Sequence, residues 1–199
     1  MGRTFIDLPC PGIDPELLRG QLGADRFVIE AYNRKQHGTF LDIGAGEPIR
    51  LSNTLALERG LNWTGVLCDI EHHEALRRER RAGFVLPDAL LVDWRTLVST
   101  VFPSGRCDFL SLDLEPPTLT EYAMRILPWD AIRFGIVALE HDSYREGGPA
   151  RQERMRAFME ANGYELFAEV AHDDWWVDPQ VFDVEELHTR FFELLEVTE

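Results

Sequence analysis

Cysteine is scarce in this chain: Cys10, Cys68 and Cys107 are the whole complement, they lie far apart, and no C-x-x-C pair occurs. Three thiols leave one unpaired in any disulfide scheme, so a disulfide framework is not expected and a reduced, cytoplasmic setting is. Basic residues are few as well, 20 Lys and Arg against 35 Asp and Glu, for a formal charge of -15. Such a surface repels phosphate backbones and anionic lipids, so neither nucleic acid nor a membrane is the expected partner. No apolar run approaches the roughly 20 residues of a bilayer-spanning helix, and Arg3 and Asp7 stand where an export signal would turn apolar. What is present is ordinary globular usage, 45% apolar and 28% charged over 199 residues, enough for one domain with a substantial core.

Along the chain, residues 1–38 read as an N-terminal helical segment. Asp14 can cap a helix with Pro15 in its first turn, and Leu17, Leu18, Leu22, Phe27, Val28, Ala31 and Tyr32 continue at helical spacing, interrupted near Gly20 and Gly23. From 39 to 180, strand-like and helix-like segments alternate. TFLDIGAG at 39–46 is a buried strand entering a glycine turn, a helix follows near 49–60, GVLCDI at 65–70 is the second strand, and a helix spans about 71–82. A short FVL strand ends at Asp88, and CDFLSLDLE, RFGIVALEHD and YELFAEVAH supply three more, the last after a helix over about 149–162. Strands separated by helices need crossovers, and crossovers give an α/β fold with a mostly parallel sheet covered on both faces. WWVDP follows the last of these so closely that only a hairpin fits, which makes it an antiparallel last strand. The tail from Asp183 to Val197, within residues 181–199, carries Val184, Leu187, Phe191, Leu194 and Leu195 on one helical face and should pack on something, a second copy of the chain being one option.

In an open parallel sheet, ligands bind at the carboxyl ends of the strands. Here every such end bears a carboxylate: Asp42 before Gly44 and Gly46, Asp69, Asp88, Asp113 with Glu115, and Glu140 with His141 and Asp142. The DIGAGE turn lets backbone approach a ligand, and a following helix would offer free N–H groups there. Asp42 suits a cationic amino group such as the methionine part of S-adenosylmethionine carries. Asp69, 25 residues after Gly44, is placed to hold a ribose diol, and Asp88 to receive an adenine amino group. A nicotinamide cofactor would use the same acid, but the third glycine of G-x-G-x-x-G is replaced by Ile49.

These residues resemble the FkbM family of S-adenosylmethionine-dependent methyltransferases. The resemblance runs from about Gln21 to Pro179 through QLGADRFV, GTFLDIGAGEPIRLSNTLALE, NWTGVLCDI, CDFLSLDLE, HDSY, NGYELF and DWW. It implies a Rossmann-like class I methyltransferase fold, with Asp42 and Gly44 at the methionine end, Asn53 beside them, Asp69 on the ribose, and Gln21 reaching the cofactor from before the first strand. It also implies O-methylation, and the acidic, single-domain chain points to a small hydroxylated acceptor such as a sugar or secondary metabolite. The chain departs from the family at Pro116 and Pro117, where glycine often follows the D-x-E of the fourth strand, and at Pro48.

Methyl transfer from a sulfonium needs donor and acceptor held in line and, for a hydroxyl acceptor, a proton removed. His141 is the expected base by intrinsic pKa, with Asp113 beside it. Asp113, Glu140 and Asp142, converging from neighbouring strand ends, form a candidate Mg²⁺ site. Two other readings stand beside this one: a nicotinamide-dependent oxidoreductase, and a non-catalytic methyltransferase-like binding protein, the latter motivated by the two prolines and by Trp175 and Trp176 read as exposed.

Overall fold

The computed structural model describes residues 4–196; residues 1–3 and 197–199, among them Arg3 and Val197, lie outside the described residues. Its centre is a seven-stranded sheet: β1 (Thr39–Ile43), β2 (Thr64–Cys68), β3 (Phe84–Leu86), β4 (Arg106–Leu112), β5 (Arg133–Glu140), β6 (Glu165–Val170) and β7 (Asp173–Val177). The spatial order is β3-β2-β1-β4-β5-β7-β6. β1 to β5 pair in parallel, and β7 alone runs against its neighbours, inserted between β5 and β6. β6 and β7 form the expected hairpin, with Ala171 and His172 between them and Ala171 at φ +59°.

Adjacent residues along each central strand are apolar on both sides, as a sheet buried on both faces requires. Phe40, Phe109, Ile136 and Trp175 belong to one core, and Leu41, Leu110, Val137 and Trp176 to the other. The first core is closed by α1 (Ala24–Ala31), α2 (Leu55–Leu61) and α7 (Val184–Glu196); the second by α4 (Trp94–Val101), α5 (Pro117–Ile126) and α6 (Gly148–Ala161). A short α3 (His73–Glu79) contributes Leu76 to the first core. The tail helix therefore packs on its own domain, burying Leu187 and Phe191 among Phe27, Phe167 and Trp175. Among the described residues no helix is long and apolar enough to cross a membrane, and all three cysteines are buried free thiols.

Several expectations need correcting. The helix expected near 49–60 starts only at Leu55. The segment before it is held as a loop by Arg80, whose fully buried guanidinium donates to Ser52 Oγ, the Pro48 carbonyl, Thr54 Oγ1 and Glu58, with Leu51 at φ +56°. The single helix or pair expected over 14–32 is two 3-10 turns, Pro15–Leu17 and Gln21–Gly23, leading into α1. The helices α4 and α5 were not anticipated. Pro116 and Pro117 are no anomaly: they occupy the cap and first position of α5, where proline's missing N–H costs nothing. Trp175 and Trp176 are fully buried, one in each core, so the exposure that favoured a binding protein is absent.

Candidate functional site

The carboxyl ends of β1, β2 and β4 enclose a cavity of about 510 Å³, lined by Gly44, Gly46, Asp69, Asp88, Asp113 and the apolar Leu90, Leu114 and Leu119, among others. A smaller one of about 210 Å³ adjoins it, lined by Gln21, Asp42, Gly44, Gly46, Asn53, His72 and Asp113, among others. Gly44, Gly46, His72 and Asp113 face both, so the two form one continuous cleft with an apolar end and a polar end. A volume in this range matches a nucleoside-sized ligand. All seven residues assigned to the cofactor from sequence, Gln21, Asp42, Gly44, Gly46, Asn53, Asp69 and Asp88, line this cleft.

Gly44 sits where β1 and β4 diverge, at φ +84°, and a Cβ there would fall 1.5 Å from the Asp113 carbonyl oxygen. Only glycine permits that approach. The amides of the turn are not free, however. Those of Gly44 and Ala45 donate to the Cys68 carbonyl and that of Gly46 donates to Asp69 Oδ2 at 2.8 Å. With α2 beginning nine positions beyond Gly46, the turn has no helix N-terminus against it, which corrects the expectation of a helix donating N–H groups there. A pyrophosphate, which such a helix end would normally hold, has lost its usual seat.

Asp69 is held by several donors: its other oxygen accepts from the amides of Glu71 (2.9 Å) and His72 (2.7 Å), and His72 Nδ1 lies 3.1 Å away. Asp88 caps the next turn, accepting from the Leu90 amide at 2.9 Å. Asp42 is buried below the polar end and accepts from Thr54 Oγ1 at 2.7 Å. Burial pushes its carboxyl up from 3.8 to about 6, partly offset by the Thr54 hydrogen bond and the Arg80 charge. Asn53 accepts from the Gln21 amide and donates to Ser111 Oγ, which ties the segment before α1 to β4.

At the β5 end the arrangement differs from the sequence expectation. His141 is fully buried and lines neither cavity: its Nδ1 accepts from the Ser143 amide at 3.1 Å, and its Nε2 lies 3.1 Å from the Gln152 amide nitrogen and 3.6 Å from Asp174. Burial lowers its pKa, and in this structure the ring expected to act as a base faces α6 and Asp174 and does not reach the cleft. Asp142 is likewise buried and its carboxylate pairs with Arg145 at 3.0 Å. Asp113 and Glu140 do lie side by side, each carboxyl acting on the other. Burial raises both, and it takes Glu140 to about 10 with the help of Asp113.

Among the described residues, the group with metal-ligand spacing is Glu140 with His172 and Asp173, not the Asp113, Glu140 and Asp142 set expected for Mg²⁺. His172 and Asp173 escaped the sequence reading because they belong to the β6–β7 turn and the first residue of β7. The sequence carried no signal for them, because their approach to Glu140 depends on β7 lying beside β5. His72, which lines both cavities, was also missed.

Three solved structures are similar to this chain. Cofactor-bound Rv0187 from MTB matches with a TM-score of 0.51 and 14% identity, over 86% of this chain and 84% of that one. The O-methyltransferase from Bacillus cereus in complex with SAH gives a TM-score of 0.47 at 15% identity, over 86% and 83% of the two chains. TYW2 from M. jannaschii in complex with AdoMet gives 0.41 at 12%, over 78% and 74%. No family model and no curated protein matches the sequence. The fold is thus the Rossmann-like one expected, a mostly parallel sheet between two helical layers with one reversed strand.

Proposed function

We propose that this chain is an S-adenosylmethionine-dependent methyltransferase, in keeping with its resemblance to the FkbM family, and that it O-methylates a small hydroxylated molecule. The observation that carries the reading is the two-ended cleft. Asp88 and the apolar Leu90 and Leu119 stand at the end suited to adenine, Asp69 in the middle for the ribose, and Asp42, Asn53 and Gln21 at the polar end for the methionine amino and carboxylate groups. The nicotinamide reading loses ground because a dinucleotide needs a helix N-terminus at the glycine turn, and α2 starts too late to supply it.

The sulfonium donor supplies an activated methyl group; the chain's own work is to hold it, exclude water and accept a proton. Of the two residues first assigned to proton transfer, Asp113 borders the cleft and His141 does not. Asp113 is therefore the proposed proton acceptor, with the Glu140 carboxyl beside it. Calorimetric titration with S-adenosylmethionine and S-adenosylhomocysteine, with NADH as the control, tests the donor site. One adenosyl ligand bound per chain, weakened roughly tenfold or more by Asp88→Ala, supports the reading. No adenosyl binding at millimolar concentration, or binding of NADH in its place, overturns it.

A further inference from the structure

The pairing of β5 with β7 sets Glu140 directly opposite Asp173. Residues opposite one another in an antiparallel pair have Cβ atoms about 5 Å apart, and like charges in that relation repel. Other acids at this end have cationic partners: Asp174 and Glu169 share Arg156, and Asp142 has Arg145. Among the described residues no lysine or arginine pairs with Glu140, Asp173 or Asp113; the basic side chain beside Glu140 is His172, its Nε2 3.4 Å from Oε1. One donor atom from each of Glu140, His172 and Asp173 lies within 4.8 Å of the others. Asp173 keeps only 5% of its surface exposed, and its Oδ1 has no hydrogen-bond partner. An unpaired carboxylate oxygen in such a place is costly unless something cationic meets it.

We propose that Glu140, His172 and Asp173 form a binding site for one divalent transition-metal ion, Mn²⁺ or Zn²⁺ in kind. The imidazole among the ligands selects this class over Mg²⁺, which favours an all-oxygen shell. Metal–ligand bonds of about 2.0–2.2 Å place ligand atoms roughly 3–3.5 Å apart, so small side-chain rotations close the present spacing. Gln21 reaches His172 through its side-chain amide at 3.2 Å and also lines the polar end of the cleft. His172 and Glu140 keep some solvent exposure, which leaves a path for the ion. The ion would stand beside Asp113, which borders the cleft. Its binding is independent of the methyltransferase reading and is measured without any donor or acceptor.

The test uses the full chain, stripped with chelator and then titrated with Mn²⁺ followed by the electron paramagnetic resonance of the free ion, and separately with Zn²⁺ by calorimetry. Glu140→Gln, His172→Gln and Asp173→Asn are measured beside Asp130→Asn, an exposed control acid. One ion per chain is expected, with each of the three variants weakening binding at least about tenfold and the control unchanged. Spin-echo modulation from an imidazole nitrogen on Mn²⁺ should be lost in His172→Gln. Circular dichroism and urea unfolding establish that the variants fold, so that lost binding is not lost structure. If neither ion binds at millimolar concentration, or if all three folded variants bind as the parent does, the proposal is overturned.

Discussion

The two ends of the cleft handle negative charge in opposite ways. Around β1, β2 and β3 each carboxylate has a donor supplied by the chain: Thr54 for Asp42, three amides for Asp69, the Leu90 amide for Asp88. Around β5 and β7, Asp113, Glu140 and Asp173 crowd together, and one another and His172 are what they meet. The first arrangement fixes acids in position so that they can accept further hydrogen bonds without reorganising. The second leaves charge to be neutralised by something else, a proton or a cation. A fold can therefore position one set of acids by satisfying them and prepare another by withholding partners.

Breaking the frame between the two ends should have the largest effect. Gly44→Val places a branched side chain on the Asp113 carbonyl at a positive φ, and should cost about 3 kcal/mol or more in urea unfolding, or prevent folding. Next is Asp42→Asn, whose sign is opposite. Because the folded carboxyl titrates near 6 and the unfolded one near 3.8, the folded chain holds its proton longer as pH rises. Stability attributable to this group is then full below about pH 4 and is lost on the way to pH 6. The variant removes that loss and should gain up to about 3 kcal/mol relative to the parent above pH 6, and none at pH 4. Denaturation at both pH values measures the difference, and a gain that does not depend on pH would refute it.

Asp69→Ala tests the satisfied end more gently. It strands the amides of Gly46 and His72 and should cost about 2 kcal/mol, with adenosyl binding weakened more than tenfold by calorimetry. The smallest effect on ligands is expected from His141→Gln: a stability loss of about 1–2 kcal/mol from the buried hydrogen bonds, with adenosyl affinity within about twofold. A large loss of affinity there would return His141 to the site.

Much of this was legible in the sequence, because the parallel strands carry their own signal. TFLDI, GVLC and GIVALE carry apolar residues at consecutive positions, so they read as strands buried on both faces, and the acids at or near their ends mark the ligand end. The loop before α2 was not legible, because what overrides its helical spacing is Arg80, distant in sequence and buried beneath it. His141 misled for a related reason. A histidine at a strand end has the right pKa and position along the chain, but which side of the strand it faces depends on α6, whose Gln152 meets its ring and whose Arg151 donates to its carbonyl. The acid pairing of Glu140 with Asp173 was hidden because it depends on where β7 inserts.

That insertion also bears on the protein's synthesis. β5 is among the most apolar segments of the chain, yet its outer neighbour is β7, not β6, and Asp173 lies 33 positions after Glu140. As the nascent chain lengthens, the four preceding strands can assemble and β5 can join them, but its far edge stays open until the whole β6–β7 hairpin has emerged. At about 5–20 residues per second that interval lasts some seconds, during which an unpaired hydrophobic edge is presented to other chains. The hairpin that completes the acid cluster is thus also the piece that ends the period of greatest exposure to aggregation.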